Sequence, residues 1–218
     1  MNEGPILISL KTSIISTIIV SILGVSLANI SIKKGGRFKE AIESAIMLPL
    51  FMPPSLIGYI LLLIIGKRSI VGKFLYDNFD FSFVFSWQGA VIAAVVTALP
   101  IMYGSAKGSI LSIDETYKEI AADLGATKIQ TFYKVTFPLA FRGILSGMVL
   151  SFARCFGEFG ATMMIAGNIP GKTQNIPMAI YYAVENGQSN KANFLAIVVI
   201  IVSTTLIFIY NRLLKERK

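Results

Sequence analysis

The sequence contains no histidine among its 218 residues. That absence excludes an imidazole metal ligand and an imidazole general base. Its single cysteine, Cys155, excludes an intrachain disulfide and any Cys-x-x-Cys site, and the residue is expected to act as a small apolar packing group. Charge is also scarce: 15% of residues are Asp, Glu, Lys or Arg, against 54% hydrophobic. A soluble domain carries about a quarter charged residues, so this chain cannot cover itself with polar surface and must face hydrocarbon. Paired carboxylates, a nucleophile–base set and a metal-ligand cluster are all missing, so neither catalytic residues nor a metal are expected. The formal net charge of +8 does not point to nucleic acid, because the basic residues sit in short runs beside apolar segments.

What the sequence does have is long runs without charge. A helix needs about 20 apolar residues to cross a bilayer. Residues 12–32, 44–66, 81–106 and 192–211 are uncharged, and a further run from 139 to about 167 is interrupted only by Arg142, Arg154 and Glu158. In lipid the backbone must satisfy its own hydrogen bonds, and no period-2 barrel pattern occurs, so helices are expected. The reading is an all-α integral membrane protein, one domain over 1–218, with about five transmembrane helices at 12–32, 44–66, 85–106, 139–165 and 192–211. The first run is too long for a signal-peptide core and is followed by Lys33-Lys34, so it is read as a retained helix. With five crossings, one side collects thirteen Lys and Arg residues and the other six. The richer side is expected to be cytoplasmic, which puts the N-terminus outside and the C-terminus inside. Residues 168–188 carry an apolar run too short to span and are expected to form an outward re-entrant or interfacial helix.

Several residues qualify these helices. Pro49, Pro53 and Pro54 interrupt the second run and Pro100 the third. Each removes a backbone donor, and either a kink or a cavity-facing break accommodates it. Gly143, Gly147 and Ser151 recur every four residues, a stripe that lets another helix approach closely. Arg154 and Glu158 are the only charges deep in a run, spaced so that they share a helix face. Two readings stand for them: a mutually neutralising structural pair, or a fixed positive charge on an anion's path, moderated by the nearby carboxylate.

The loop 107–138 is the most informative stretch. Ser112 to Glu115 reads as a capping box, and Ile113, Tyr117, Ile120, Ala121 and Leu124 then fall on one helical face. Gly125 is placed to stop that helix with a positive φ. Thr127 to Gln130 reads as a second capping box, opening a short helix with Ile129, Phe132, Tyr133 and Thr136 together, and Pro138 starts the next span. The result is a helix, a glycine turn and a second helix at the membrane surface.

Glu119-Ile120-Ala121-Ala122, Gly125 after two more residues, and Val135-Thr136-Phe137-Pro138 resemble the EAA motif of importer-type ABC-transporter permeases. The spacing fits throughout, with Ile120, Val135 and Phe137 as apolar departures. Phe152-Ala153-Arg154, Gly157 to Thr162 and Ala166 to Thr173, with Phe85-Ser86-Trp87 and Pro49 to Pro54, are similar to the molybdate-permease subfamily, and sulfate permeases share a related pattern. The resemblance implies the importer-type ABC permease fold and a cytoplasmic coupling loop built on Glu119, Ala121, Ala122, Gly125 and Pro138, which docks on an ATPase subunit. It also implies a translocation path at Arg154, Glu158, Gly157, Gly160, Thr162, Pro53 and Pro54. The function expected is that of a permease for a tetrahedral oxyanion, molybdate or tungstate first and sulfate or thiosulfate as the alternative. Its expected setting is a prokaryotic inner membrane, as a homodimer with two ATPase subunits and an extracytoplasmic oxyanion-binding protein. Gly171-Lys172-Thr173 ends like a P-loop, but only three residues separate Gly167 from Gly171 where four are required. No cofactor is therefore expected on this chain; ATP and Mg²⁺ belong to the partner. A self-contained secondary carrier is the remaining class, but such carriers show internal repeats and this sequence shows none.

Overall fold

The computed structural model describes residues 4–33 and 36–215. Lys34, Arg217 and Lys218 of the basic tally lie outside the described residues. The described chain is helical: α1 (Pro5–Lys33), α2 (Arg37–Phe51), α3 (Pro54–Ile65), α4 (Ile70–Phe79), α5 (Trp87–Leu111), α6 (Thr116–Asp123), α7 (Lys128–Thr131), a π turn (Phe132–Thr136), α8 (Phe137–Phe156), α9 (Gly160–Ala166), α10 (Ile176–Glu185) and α11 (Ser189–Leu214). Among the described residues, four helices are long and apolar enough to cross a membrane: Pro5–Ile32, Trp87–Leu111, Lys128–Phe156 and Ser189–Leu214. A fifth crossing is reached if α3 and α4, bent by 55°, form one span.

Two expected spans are discontinuous. The run 44–66 ends as a helix at Phe51 and restarts at Pro54. Met52 is extended (φ −93°, ψ 144°), because a residue before proline is pushed out of the helical region. Pro54 then occupies the first helical turn, where its missing N–H costs nothing. Pro49, in contrast, stays inside α2. The run 139–165 stops at Phe156 and restarts at Gly160. At its other end it is continuous with the loop helix from Lys128, so Pro138 lies inside a long helix rather than at the start of a span. The π turn explains the tolerance. A proline ring clashes with the carbonyl four residues back, and here the Phe137 N–H reaches past that turn to the Phe132 carbonyl. Helix α4, which lies between the expected spans 44–66 and 85–106, is capped by the Ser69 hydroxyl accepting from Gly72 N–H (2.9 Å).

Helix α5 is the centre of the bundle. Ala93, Ala94, Ala98, Met102 and Ala106 are buried along it, packed by α1 and α8. The contacts rely on small groups, as expected where lipid gives helices no hydrophobic reason to associate. A side chain at Gly24 of α1 would strike Met102, and one at Gly143 or Gly147 of α8 would strike Ser109 or Ser105 of α5. The stripe Gly143, Gly147, Ser151 therefore serves packing within the chain. Cys155 joins the same core, its thiol directed at the Ala94 carbonyl (3.7 Å). By contrast, α11 presents Phe194, Ile200, Ile201 and Phe208 outward, each more than half exposed, as a lipid-facing helix should.

Candidate functional site

The coupling loop begins where α5 ends. Ser112 is not an N-cap: α5 runs on to Leu111, Ser112 closes it by donating from its backbone to Gly108, and its hydroxyl donates to the Ser109 carbonyl (2.9 Å). Asp114 organises the start of α6 instead, its carboxylate accepting from the Thr116 hydroxyl (2.7 Å) and backbone N–H (2.9 Å). Those two bonds, the hydroxyl's first, hold the Asp114 carboxyl below its ordinary pKa. At the other end Gly125 adopts φ +80°. Its N–H donates to Ala122 and that of Ala126 donates to Ala121, each at 2.9 Å. This is the Schellman pattern, which needs a left-handed residue at the turn. The second capping box is present as read: Thr127 Oγ1 accepts from Gln130 N–H (3.3 Å) and Gln130 Oε1 from Thr127 N–H (2.8 Å).

These constraints aim the loop. Ala121 is buried, while Tyr117, Ile120, Leu124, Ile129 and Tyr133 are all at least half exposed, Leu124 to 83%. The expected apolar face of α6 is therefore split: its alanine packs inward and its large side chains form an uncovered patch. Glu119, Ala122, Gly125 and Pro138 are exposed beside it. Among the described residues the ion pair of this loop is Lys118 with Glu115 (2.7 Å), and Glu119 has no such partner. An exposed apolar patch rimmed by charge marks a contact with a protein or a membrane.

The second cluster lies where the two spans break. Arg154 Nη1 is 2.6 Å from Glu158 Oε2; the arginine side chain is 30% exposed and the glutamate 1%. Glu158 is also a scaffold. Its Oε1 accepts from Ala161 N–H (2.8 Å) at the start of α9, and its backbone carbonyl accepts from Asn175 Nδ2 (2.7 Å). Asn175 Oδ1 in turn caps α10 by accepting from Met178 N–H (3.1 Å). Glu158 thus holds the unwound Gly157–Phe159 segment to two helix starts, with its charge offset by Arg154 across one helical turn. Asn175 was missed in the sequence, although Asn followed by Ile-Pro is an N-cap signal.

The breaks adjoin one another. A Cβ at Gly160 would lie 2.9 Å from Pro54 Cβ, and one at Gly58 of α3 would lie 2.8 Å from the Ala161 carbonyl. Pro53, Pro54 and Gly157 are exposed, and Arg154 is partly open. Thr162 is buried within the chain instead. Unwound backbone at membrane depth is tolerated where it is buried in protein or lines a water-filled cavity. Thr173 is spent structurally: fully buried, it donates to the Gly167 carbonyl (2.9 Å) and accepts from Ile169 N–H (3.0 Å). A helix, α9, and not a strand precedes it, which removes the phosphate-loop reading.

The family model described as "Binding-protein-dependent transport system inner membrane component" matches residues 20–217. A Bacillus subtilis (strain 168) protein provisionally named molybdenum transport system permease protein YvgM is 40% identical over 94% of this chain and 90% of its own length. The molybdenum transport system permease protein ModB of Escherichia coli (strain K12) is 36% identical, covering 93% of this chain and 89% of that protein. Among solved structures, a bacterial ABC transporter involved in import of the acidic polysaccharide alginate shares the fold, with TM-score 0.76 and 16% identity over 97% of this chain and 79% of that one. A match across nearly all of the sequence, on a helical bundle with importer-type neighbours, places this chain in the binding-protein-dependent transport system inner membrane component family, as a membrane-spanning ABC importer permease and a transporter component rather than an enzyme.

Proposed function

We propose that this chain is the permease of an ATP-driven importer of molybdate or tungstate, working as a homodimer with two ATPase subunits and an extracytoplasmic oxyanion-binding protein. The relatives named for molybdenum transport, matched along nearly their full length, carry the substrate assignment. The uncovered patch from Tyr117 to Tyr133 supports the ATPase partner, because such a surface needs a protein or a membrane to cover it. Four or five crossings are too few to enclose a path alone, and a symmetric pair supplies the second wall. ATP and Mg²⁺ act on the partner; its motion reaches the membrane through Glu119 to Gly125 and opens the region of the two breaks alternately to either side. Tetrahedral dianions differ little in charge, so the binding protein sets most of the selectivity. Reconstituted with its partners, the complex is expected to show ATPase activity stimulated by molybdate- or tungstate-loaded binding protein. Stimulation by the sulfate-loaded protein alone would move the substrate to sulfate.

The reading places the coupling loop in the cytoplasm and the N-terminus outside. Both Lys172 and Ser112 are exposed, so each accepts a probe cysteine once Cys155 is replaced. A membrane-impermeant thiol reagent on intact cells is expected to label Lys172→Cys and to spare Ser112→Cys. Labelling of Ser112→Cys from outside would reverse the orientation and remove the loop from ATP.

A further inference from the structure

Two cavities meet beside the π turn, the larger bordered by Ile129 and Tyr133 of the exposed patch. One, of about 590 Å³, lies between α1 and α8 and is apolar, walled by Ile22, Val25, Phe137, Phe141, Ile144 and Met148. The other, of about 390 Å³, lies against the coupling loop and is of mixed character, with Lys118, Lys128, Thr131 and Glu115 on its walls beside Ile32 and Ile110. Asn29, Lys128 and Phe132 line both. They therefore form one continuous groove, with an apolar limb along the membrane helices and a basic limb at the surface. Lys118 is paired with Glu115 (2.7 Å), so the surplus positive charge of the surface limb is that of Lys128. A soluble anion has no use for the apolar limb, and an acyl chain alone has no use for that lysine.

We propose that this groove binds an anionic phospholipid, one acyl chain between α1 and α8 and the phosphate at Lys128. The lipid ties α1 to the coupling loop and steadies the patch that meets the ATPase. The assignment to the cytoplasmic leaflet rests on the orientation proposed above; the binding itself does not.

The test uses the full-length permease in nanodiscs of phosphatidylcholine containing phosphatidylglycerol, with retained lipid read by native mass spectrometry after detergent extraction. Phosphatidylglycerol is expected to be retained over phosphatidylcholine. Lys128→Gln is expected to reduce that preference roughly fivefold, the effect of one basic charge near an anionic surface. Ser26 is exposed on the wall of the apolar limb, so Ser26→Trp is expected to fill it and abolish retention of either lipid. Equal retention of the two lipids, or retention unchanged in both variants, would overturn the proposal. So would displacement of the lipid by free glycerol phosphate, or a Ser26→Cys crosslink between two copies showing that a second chain fills the groove. The readout needs neither ATP nor substrate, so its failure leaves the importer reading intact, and failure of that reading leaves the lipid result standing.

Discussion

Gly125→Val is expected to insert and dimerise normally, yet to lose ATPase binding or to uncouple hydrolysis from uptake, with transport falling about tenfold or more. Gly125 is at φ +80°, and nothing lies within 4 Å of a Cβ added there. The substitution therefore meets no obstacle inside the chain and spares folding of the bundle. What it incurs is the left-handed penalty, roughly 1–2 kcal/mol, and a β-branched residue is among the worst placed there. The loop can relieve that strain only by abandoning the paired bonds from Gly125 and Ala126 to Ala122 and Ala121, which set the angle between α6 and α7. The added isopropyl group would also project from the exposed turn next to Leu124, on the surface proposed to meet the ATPase. Gly125→Asn is the control, since asparagine tolerates the left-handed region, and it should keep most of the coupling. Co-purification of the ATPase and uptake can be measured on the same membranes. Normal values of both in Gly125→Val would sink the coupling assignment.

The second large effect concerns Arg154. Arg154→Gln leaves the Glu158 carboxylate buried without its countercharge, a situation that costs about 3–5 kcal/mol in proteins. Abundance in the membrane is therefore expected to fall. Glu158→Gln should be milder, because an amide oxygen still accepts from Ala161 N–H and the freed arginine is partly exposed. The double variant, neutral at both positions, should recover most of the lost abundance. Uptake per molecule separates the two readings of the pair. If the guanidinium assists an anion past the break, uptake stays low in the double variant although the protein is present. Recovery of uptake together with abundance would make the pair purely structural.

Much of this architecture was legible because absent charge is a strong signal. The runs 12–32, 85–106 and 192–211 became the cores of α1, α5 and α11. Hydropathy says nothing about continuity, however, and the two broken spans read as whole because their halves are equally apolar. The prolines at 53 and 54 named the first break. At the second, Glu158 stands three residues before Ala161, the spacing at which a side chain caps a helix start, but an assumed unbroken helix concealed it. The capping box assigned to Ser112 failed for a related reason: α5 continues five residues past 106, so that serine was already spent as its terminus. Thr127 and Gln130 lacked such a competitor and formed the box their spacing implied. The inward turn of Thr162 could not be read, because burial within the chain depends on how α9 lies against its neighbours.

The π turn at Phe132–Thr136 also sets a phase. An α-helix advances about 100° and 1.5 Å per residue, and a π turn holds one residue more than the regular ladder would at that point. Every side chain before Phe132 is therefore rotated by about 100° relative to α8 from where an unbroken α-helix would carry it. That angular offset decides whether Ile129 points outward or back toward the bilayer. The azimuth of the docking surface is thus written in a single surplus residue, and a lineage that gained or lost one there would re-aim the loop without altering any residue from Glu119 to Gly125.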